Sequence, residues 1–148
     1  MKVTVNKKAF HDYFILEKYI AGIVLLGCEV KSIRAGRINL KDSHVKFKSS
    51  EAFLVNTHIA KYDKNYFHEH YDETRSRKLL LHKRESKKLQ EKVATQGVSI
   101  VPLKVFFSKH NFVKIEIAVV KGKKLYDKKQ VKKEADIKRQ TEQELKGY

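Results

Sequence analysis

Val113-Lys114-Ile115-Glu116-Ile117-Ala118-Val119 places an apolar side chain at every second position, the period-two signature of a strand with one face buried. Working back from it, Val101, Leu103, Val105 and Phe107 make a similar run with Pro102 at its start, as an edge strand or strand entrance allows. Phe53, Val55, Thr57 and Ile59 alternate with Leu54, Asn56, His58 and Ala60, and Tyr19–Leu26 and Val45–Phe47 supply two further strand candidates. Several short strands without regularly interposed helices favour an antiparallel sheet or small barrel over a βαβ fold. Two helices fit between them. Leu81, Glu85, Leu89 and Val93 recur every four residues, with Gly97 in the place of a C′ glycine and His82/Glu85 in a capping arrangement. A shorter helix is expected around Glu29–Ala35, stopped by Gly36.

The chain has 148 residues, enough for one domain with a real core. Lys and Arg number 33 against 17 Asp and Glu, a net charge of +16. Self-repulsion of that size is relieved by a polyanion, and phosphate contacts add affinity through counterion release. Basic membrane-surface and heparin-type binders share the composition, so charge gives the class of partner and not its name. Arg75, Arg77, Lys78, Lys83, Arg84, Lys87, Lys88 and Lys92 gather around Leu79-Leu80-Leu81. Lys104, Lys109, Phe112 and Lys114 interleave base and aromatic on an expected hairpin, the pattern of a phosphate-tracking, base-stacking surface. Of Phe106, Phe107 and Phe112, at least two are expected in the core.

From Lys121 the character changes. Residues 121–148 carry ten Lys or Arg and five Asp or Glu, and Val131, Ala135 and Leu145 cannot form a stripe that buries a helix. The expected division is a domain over 1–120 and a basic tail over 121–148. Two compatible readings of the tail stay open: a disordered solubilising segment, and one that folds on a charged partner.

Residues that carry chemistry are sparse. The single cysteine, Cys28, excludes an internal disulfide and paired-thiolate zinc sites, and its apolar run suggests a buried thiol. His68-Glu69-His70 is the one His spacing suggestive of metal, and it lies in a polar, aromatic loop-like stretch. No phosphate-cradling glycine loop or nucleophile elbow is present. The expectation is a binding protein that is not an enzyme, with no metal and no cofactor. Met1–Lys8 has no apolar run of signal-peptide length, and no stretch reaches the roughly 20 apolar residues of a membrane helix. The expected setting is the cytoplasm.

More specific blocks occur in order along the chain: Asn6-Lys7-Lys8-Ala9-Phe10-His11-Asp12-Tyr13, Ala21-Gly22-Ile23-Val24-Leu25, Gly27–Gly36, Asn39–His44, Glu51–Leu54, Arg77–His82, Pro102-Leu103-Lys104 and Gly122–Lys128. Together they resemble small protein B (SmpB), the partner of transfer-messenger RNA (tmRNA) in rescue of stalled bacterial ribosomes. The resemblance implies a monomer with an antiparallel, OB-fold-like barrel, short flanking helices and a basic C-terminal tail. It implies tmRNA as partner, held through its tRNA-like domain on a face comprising Gly22, Glu29, Lys31, Gly36, Asn39, Leu80, His82, Lys114, Lys123 and Lys124. It also implies that Tyr126, Asp127, Lys128, Lys129, Lys132 and Lys133 engage small-subunit RNA at the ribosomal decoding centre, the tail becoming helical there. Glu29 has a second reading, as a structural acceptor for backbone or Arg groups. Gly22 and Gly36 serve close backbone approach or left-handed geometry. Three positions depart from the family pattern: Ile20 where an acidic residue is frequent, Lys129 where Arg is usual, and His82 where Asn is common. A generic OB-type RNA-binding or ribosome-associated protein is the alternative that charge and strands alone allow.

Overall fold

A computed structural model describes residues 3–61 and 71–123. In chain order the elements are β1 (Thr4–Val5), α1 (Lys7–Asp12), β2 (Tyr13–Ile23), α2 (Gly27–Arg34), β3 (Ile38–Asn39), β4 (His44–Lys48), β5 (Glu51–Val55), β6 (His58–Ile59), β7 (Arg77–Leu80), α3 (Lys83–Val93), β8 (Val98–Phe107) and β9 (Val113–Gly122). Seven strands form one antiparallel sheet in the order β1-β8-β9-β2-β7-β5-β4, and β3 pairs with β6 apart from it.

The decisive alternation works as expected. Ile115, Ile117 and Val119 turn inward with Tyr19, Ala21, Val105 and Phe107, and Ile33 of α2 and Leu89 of α3 join the same core. The opposite face is not all solvent. Ala9 of α1 packs there on Val101, Leu103, Ala118 and Val120, a second small core that covers half of the outer face and leaves the other half open.

The barrel does not close. β4 runs beside β8 with no hydrogen-bonded ladder between them, and a cleft of about 420 Å³ lined by His44, Val45, Ser99 and Val101 follows the seam. Three features of β8 explain this. A bulge at Pro102/Lys104 interrupts its register, Pro102 can donate nothing, and β1 already pairs with Lys104 and Val105. Asn6 spans the seam instead: its Nδ2 donates to Leu40 O (3.3 Å) and Pro102 O (2.9 Å), while its Oδ1 accepts from Ala9 N and caps α1.

Other expectations shift for local reasons. β8 begins at Val98, so Pro102 lies inside the strand, at the bulge. The run expected from Phe53 to Ala60 is two strands in two sheets, parted at Asn56, whose φ is 63°. Gly97 (φ 83°) lies in the turn before β8 and not at the end of α3, whose C-cap is Ala94. Gly36 does end α2: at φ 76° its N–H bonds Ile33 O while Arg37 N bonds Ser32 O, the paired bonds of a Schellman motif. Cys28 is only half-buried. Of the three phenylalanines, Phe107 alone is in the core.

Candidate nucleic-acid interface

The open half of the outer face is built by register. Phe106 on β8 pairs with Lys114 on β9, Lys114 with Gly22 on β2, and Gly22 with Leu80 on β7. Cross-strand partners point to one face, so these residues form a row across four strands. Gly22 contributes no side chain to it: a Cβ there would lie 3.2 Å from Leu80 Cβ. The result is a shallow depression between Lys114 and Leu80, which is 54% exposed, with Phe112, 66% exposed, at its rim. A parallel row runs Lys104, Glu116, Ile20. Lys104 lies 5.9 Å from the centroid of the Phe106 ring, and Glu116 is 3.7 Å from both Lys18 and Lys104. An ammonium group beside exposed apolar and aromatic surface suits an RNA backbone and the sugars or bases next to it.

Beneath this end of the sheet lies a buried polar cluster. Glu29 and Arg77 have fully buried side chains. Glu29 Oε2 accepts from Arg77 Nε (2.6 Å) and Arg75 Nε (3.1 Å), and Oε1 accepts from Leu26 N (2.8 Å) and from Arg75 Nη2. The Tyr71 hydroxyl lies 3.1 Å from Glu29 Oε2. Arg77 donates onward to Thr57 O (2.7 Å), Glu73 O (3.0 Å) and the Tyr71 hydroxyl (3.1 Å). Burial pushes the Glu29 carboxyl up, but the hydrogen bonds from Arg75, Leu26 N–H and Arg77 outweigh it and hold the carboxyl below its ordinary value. Burial and the neighbouring Glu29 push Tyr71 up to about 12. Among the described residues no buried side-chain nitrogen or oxygen lacks a hydrogen-bond partner, which is what a buried charge requires. Glu29 is therefore a structural acceptor, and Arg75 and Arg77 direct their charge inside the protein.

The remaining expected residues are spread over the molecule. Lys31 is exposed on α2, Gly36 ends that helix, and Asn39 of β3 accepts from Lys41 N through its side chain. His82 is the N-cap residue of α3, where Glu85 accepts from its backbone N–H at 3.4 Å. Lys123 is far from Lys114: nine residues of strand, about 30 Å, separate them, and Lys123 donates to Phe10 O and sits 5.4 Å from the Phe14 ring. Gly22, Leu80 and Lys114 are brought together; Lys123 is not with them. Lys124, Tyr126, Asp127, Lys128, Lys129, Lys132 and Lys133 lie outside the described residues, as does His68-Glu69-His70. Among the described residues no group of three His, Cys, Asp or Glu could hold a metal ion, and no helix is long and apolar enough to cross a membrane. The sequence reading missed Phe106 and the inward turn of Arg77. Strand alternation carries both signals, since Phe106 falls between the inward Val105 and Phe107, and Arg77 shares the inward parity of Leu79.

A family model described as "SmpB protein" matches residues 3–147. The chain is 55% identical over 145 residues to an SsrA-binding protein of a Sulfurihydrogenibium species, covering 98% of this chain and 94% of the relative. It is 51% identical over 146 residues to the SsrA-binding protein of a Nitratiruptor species, covering 99% and 97%. Among solved structures it resembles a chain from "tmRNA-SmpB: a journey to the center of the bacterial ribosome", with a TM-score of 0.70, 44% identity, and 82% and 84% of the two chains covered.

Proposed function

The chain belongs to the SmpB family, and from that premise we propose that it binds tmRNA and carries it to stalled ribosomes for trans-translation. The observation that carries this reading is the Phe106–Lys114–Gly22–Leu80 row: an open, basic and apolar surface with one residue kept small, on the scaffold shared with SsrA-binding relatives. Such a surface reads shape and backbone rather than base sequence, as an adaptor for a folded RNA must. On this reading the protein is a cytoplasmic adaptor that catalyses nothing, and its rolled sheet is an opened variant of the OB-type fold. Leu80 and Lys114 touch the RNA, Gly22 lets it approach, and Lys31, Asn39 and His82 border the contact. Glu29 and Gly36 act indirectly, by fixing the two ends of α2. Lys123 and Lys124 extend the tmRNA contact, and the segment beyond them, with Tyr126, Asp127, Lys128, Lys129, Lys132 and Lys133, serves the decoding centre.

Competition binding at matched ionic strength tests the reading. The full chain is expected to bind tmRNA more tightly than an elongator tRNA of similar size, and equal affinities would overturn the assignment. Truncation after Lys124 is expected to spare most tmRNA affinity and to abolish peptide tagging on stalled ribosomes.

A further inference from the structure

The basic cluster around Leu79-Leu80-Leu81 is only partly accounted for by the row on the sheet. Arg75 and Arg77 are consumed by Glu29, and Lys92 is paired with Glu17. Lys83 and Lys87 are exposed and have no ion-pair partner among the described residues. They sit four residues apart on α3. At 100° per residue Lys83, Lys87 and Gln90 lie within an arc of about 60°, whereas Lys88 and Lys92 lie about 140° and 180° from Lys83. Arg84 lies at about 100°, between the two sets, and of these five basic residues only Lys83 and Lys87 line the groove described next.

The Lys83/Lys87 face overlooks a groove of about 680 Å³ between α3 and the β4–β5 turn, floored by Ala52, Leu80 and Leu81. Its far wall is stiff: Ser49 and Ser50 take φ of 52° and 67° in the turn, and Ser86 Oγ donates to Ser50 O at 3.2 Å, tying helix to turn. Lys78 also lines the groove and is paired with Glu51 at 3.2 Å, so the groove's lining holds one carboxylate against three ammonium groups. Leu80 belongs to this groove and equally to the depression beside Gly22 and Lys114. The two depressions are therefore continuous across one exposed side chain.

We propose that the α3/β4–β5 groove is a second seat for the phosphodiester backbone of the same RNA that covers Gly22, Leu80 and Lys114, with Lys83 and Lys87 meeting neighbouring phosphates. This rests on the function proposed above. Side chains at i and i+4 stand about 5–6 Å apart at Cβ, which lets both ammonium groups follow one strand, and Leu80 is the ridge that the strand crosses.

The test compares two double variants that remove equal charge from two sides of α3 whose centres lie about 100° apart, only the first pair lining the groove: Lys83→Ala/Lys87→Ala and Arg84→Ala/Lys88→Ala. Full-length protein is titrated with tmRNA over a salt series, with melting temperature as the folding control. The first pair is expected to weaken binding roughly tenfold near physiological salt and to lower the slope of log K against log salt by about 1.8, two contacts at about 0.9 each. The second is expected to change affinity by less than about twofold. Equal losses in both pairs, or no loss in the first, overturn the proposal. So does a first pair that spares tmRNA but weakens binding to ribosomes free of tmRNA, which assigns the groove to ribosomal RNA. A wild-type chain without preference for tmRNA sinks the parent reading; a failed comparison with that preference intact sinks the groove alone.

Discussion

Replacing Glu29 by Ala should cost more stability than any other single change near the RNA face. The substitution removes the acceptor of Arg77 Nε and of Arg75, and frees the Leu26 N–H. Arg77 stays fully buried with its charge uncompensated, keeping only neutral acceptors at Thr57 O, Glu73 O and the Tyr71 hydroxyl. Breaking a buried pair from one side costs about 3–5 kcal/mol, about a fifth or more of the stability of an ordinary domain. At about 3 °C per kcal/mol for a chain of this size, the melting temperature should fall by about 10–15 °C. The wild-type carboxyl is held below its ordinary value of 4.5. A depressed folded value means that its stabilisation is present above that pH and is lost as pH falls through the folded value. The wild type should therefore lose stability more steeply than Glu29→Ala on acidification below about pH 4.5. Thermal melts from pH 7 to pH 3 read both effects, with tmRNA titration at a temperature where both proteins are folded. Adding Arg77→Met to Glu29→Ala should recover part of the loss, because the stranded charge is gone. A Glu29→Ala protein that melts like the wild type yet loses tmRNA affinity would refute the reasoning, since the carboxylate would then be meeting RNA.

Three further changes separate surface from scaffold. Lys114→Ala should weaken tmRNA binding several-fold and lower its salt slope by about 0.9 without moving the melting temperature, as befits one exposed phosphate contact. Asn6→Ala should cost about 2–3 kcal/mol in urea unfolding: about 1 for the α1 cap, and about 1 for each of the Leu40 and Pro102 carbonyls left with no side-chain donor. Gly36→Ala forces a β-carbon into φ 76°, a cost of about 1–2 kcal/mol, read as a fall of about 3–6 °C in melting temperature.

The sequence carried the sheet's pattern better than its closure. Alternation from Val113 to Val119 located β9 and its inward face because one strand with one buried side is a local property. Whether β4 pairs with β8 depends on residues far apart in sequence: Pro102, Asn6 and Leu40 decide it, and none shows its partner locally. α3 was found through its four-residue spacing, although only Leu89 of that stripe is fully buried and Val93 is exposed. α1 escaped because six residues are too few for a period to show. At the interface, Gly22, Leu80 and Lys114 emerged from a resemblance, and register explains why they belong together. The basic residues misled for a physical reason. A count of charges cannot tell an arginine that faces water from one that faces Glu29.

That distinction bears on how the net charge is used. Arg75, Arg77 and Lys92 are committed to carboxylates, and Lys18 and Lys104 share Glu116. Lys83, Lys87 and Lys114 have no such partner among the described residues, and they border the two depressions that meet at Leu80. Internal pairing thus removes charge from the scaffold and leaves it where a polyanion can reach, so the field presented to RNA is narrower than +16 suggests. It also divides the consequences of mutation. Loss of Arg77 leaves Glu29 buried with only Arg75 to balance its charge, and the effect falls on folding. Loss of an outward lysine leaves the fold alone and appears in the salt dependence of binding. A basic residue on this protein can therefore be assigned to scaffold or ligand by which of the two measurements its removal shifts.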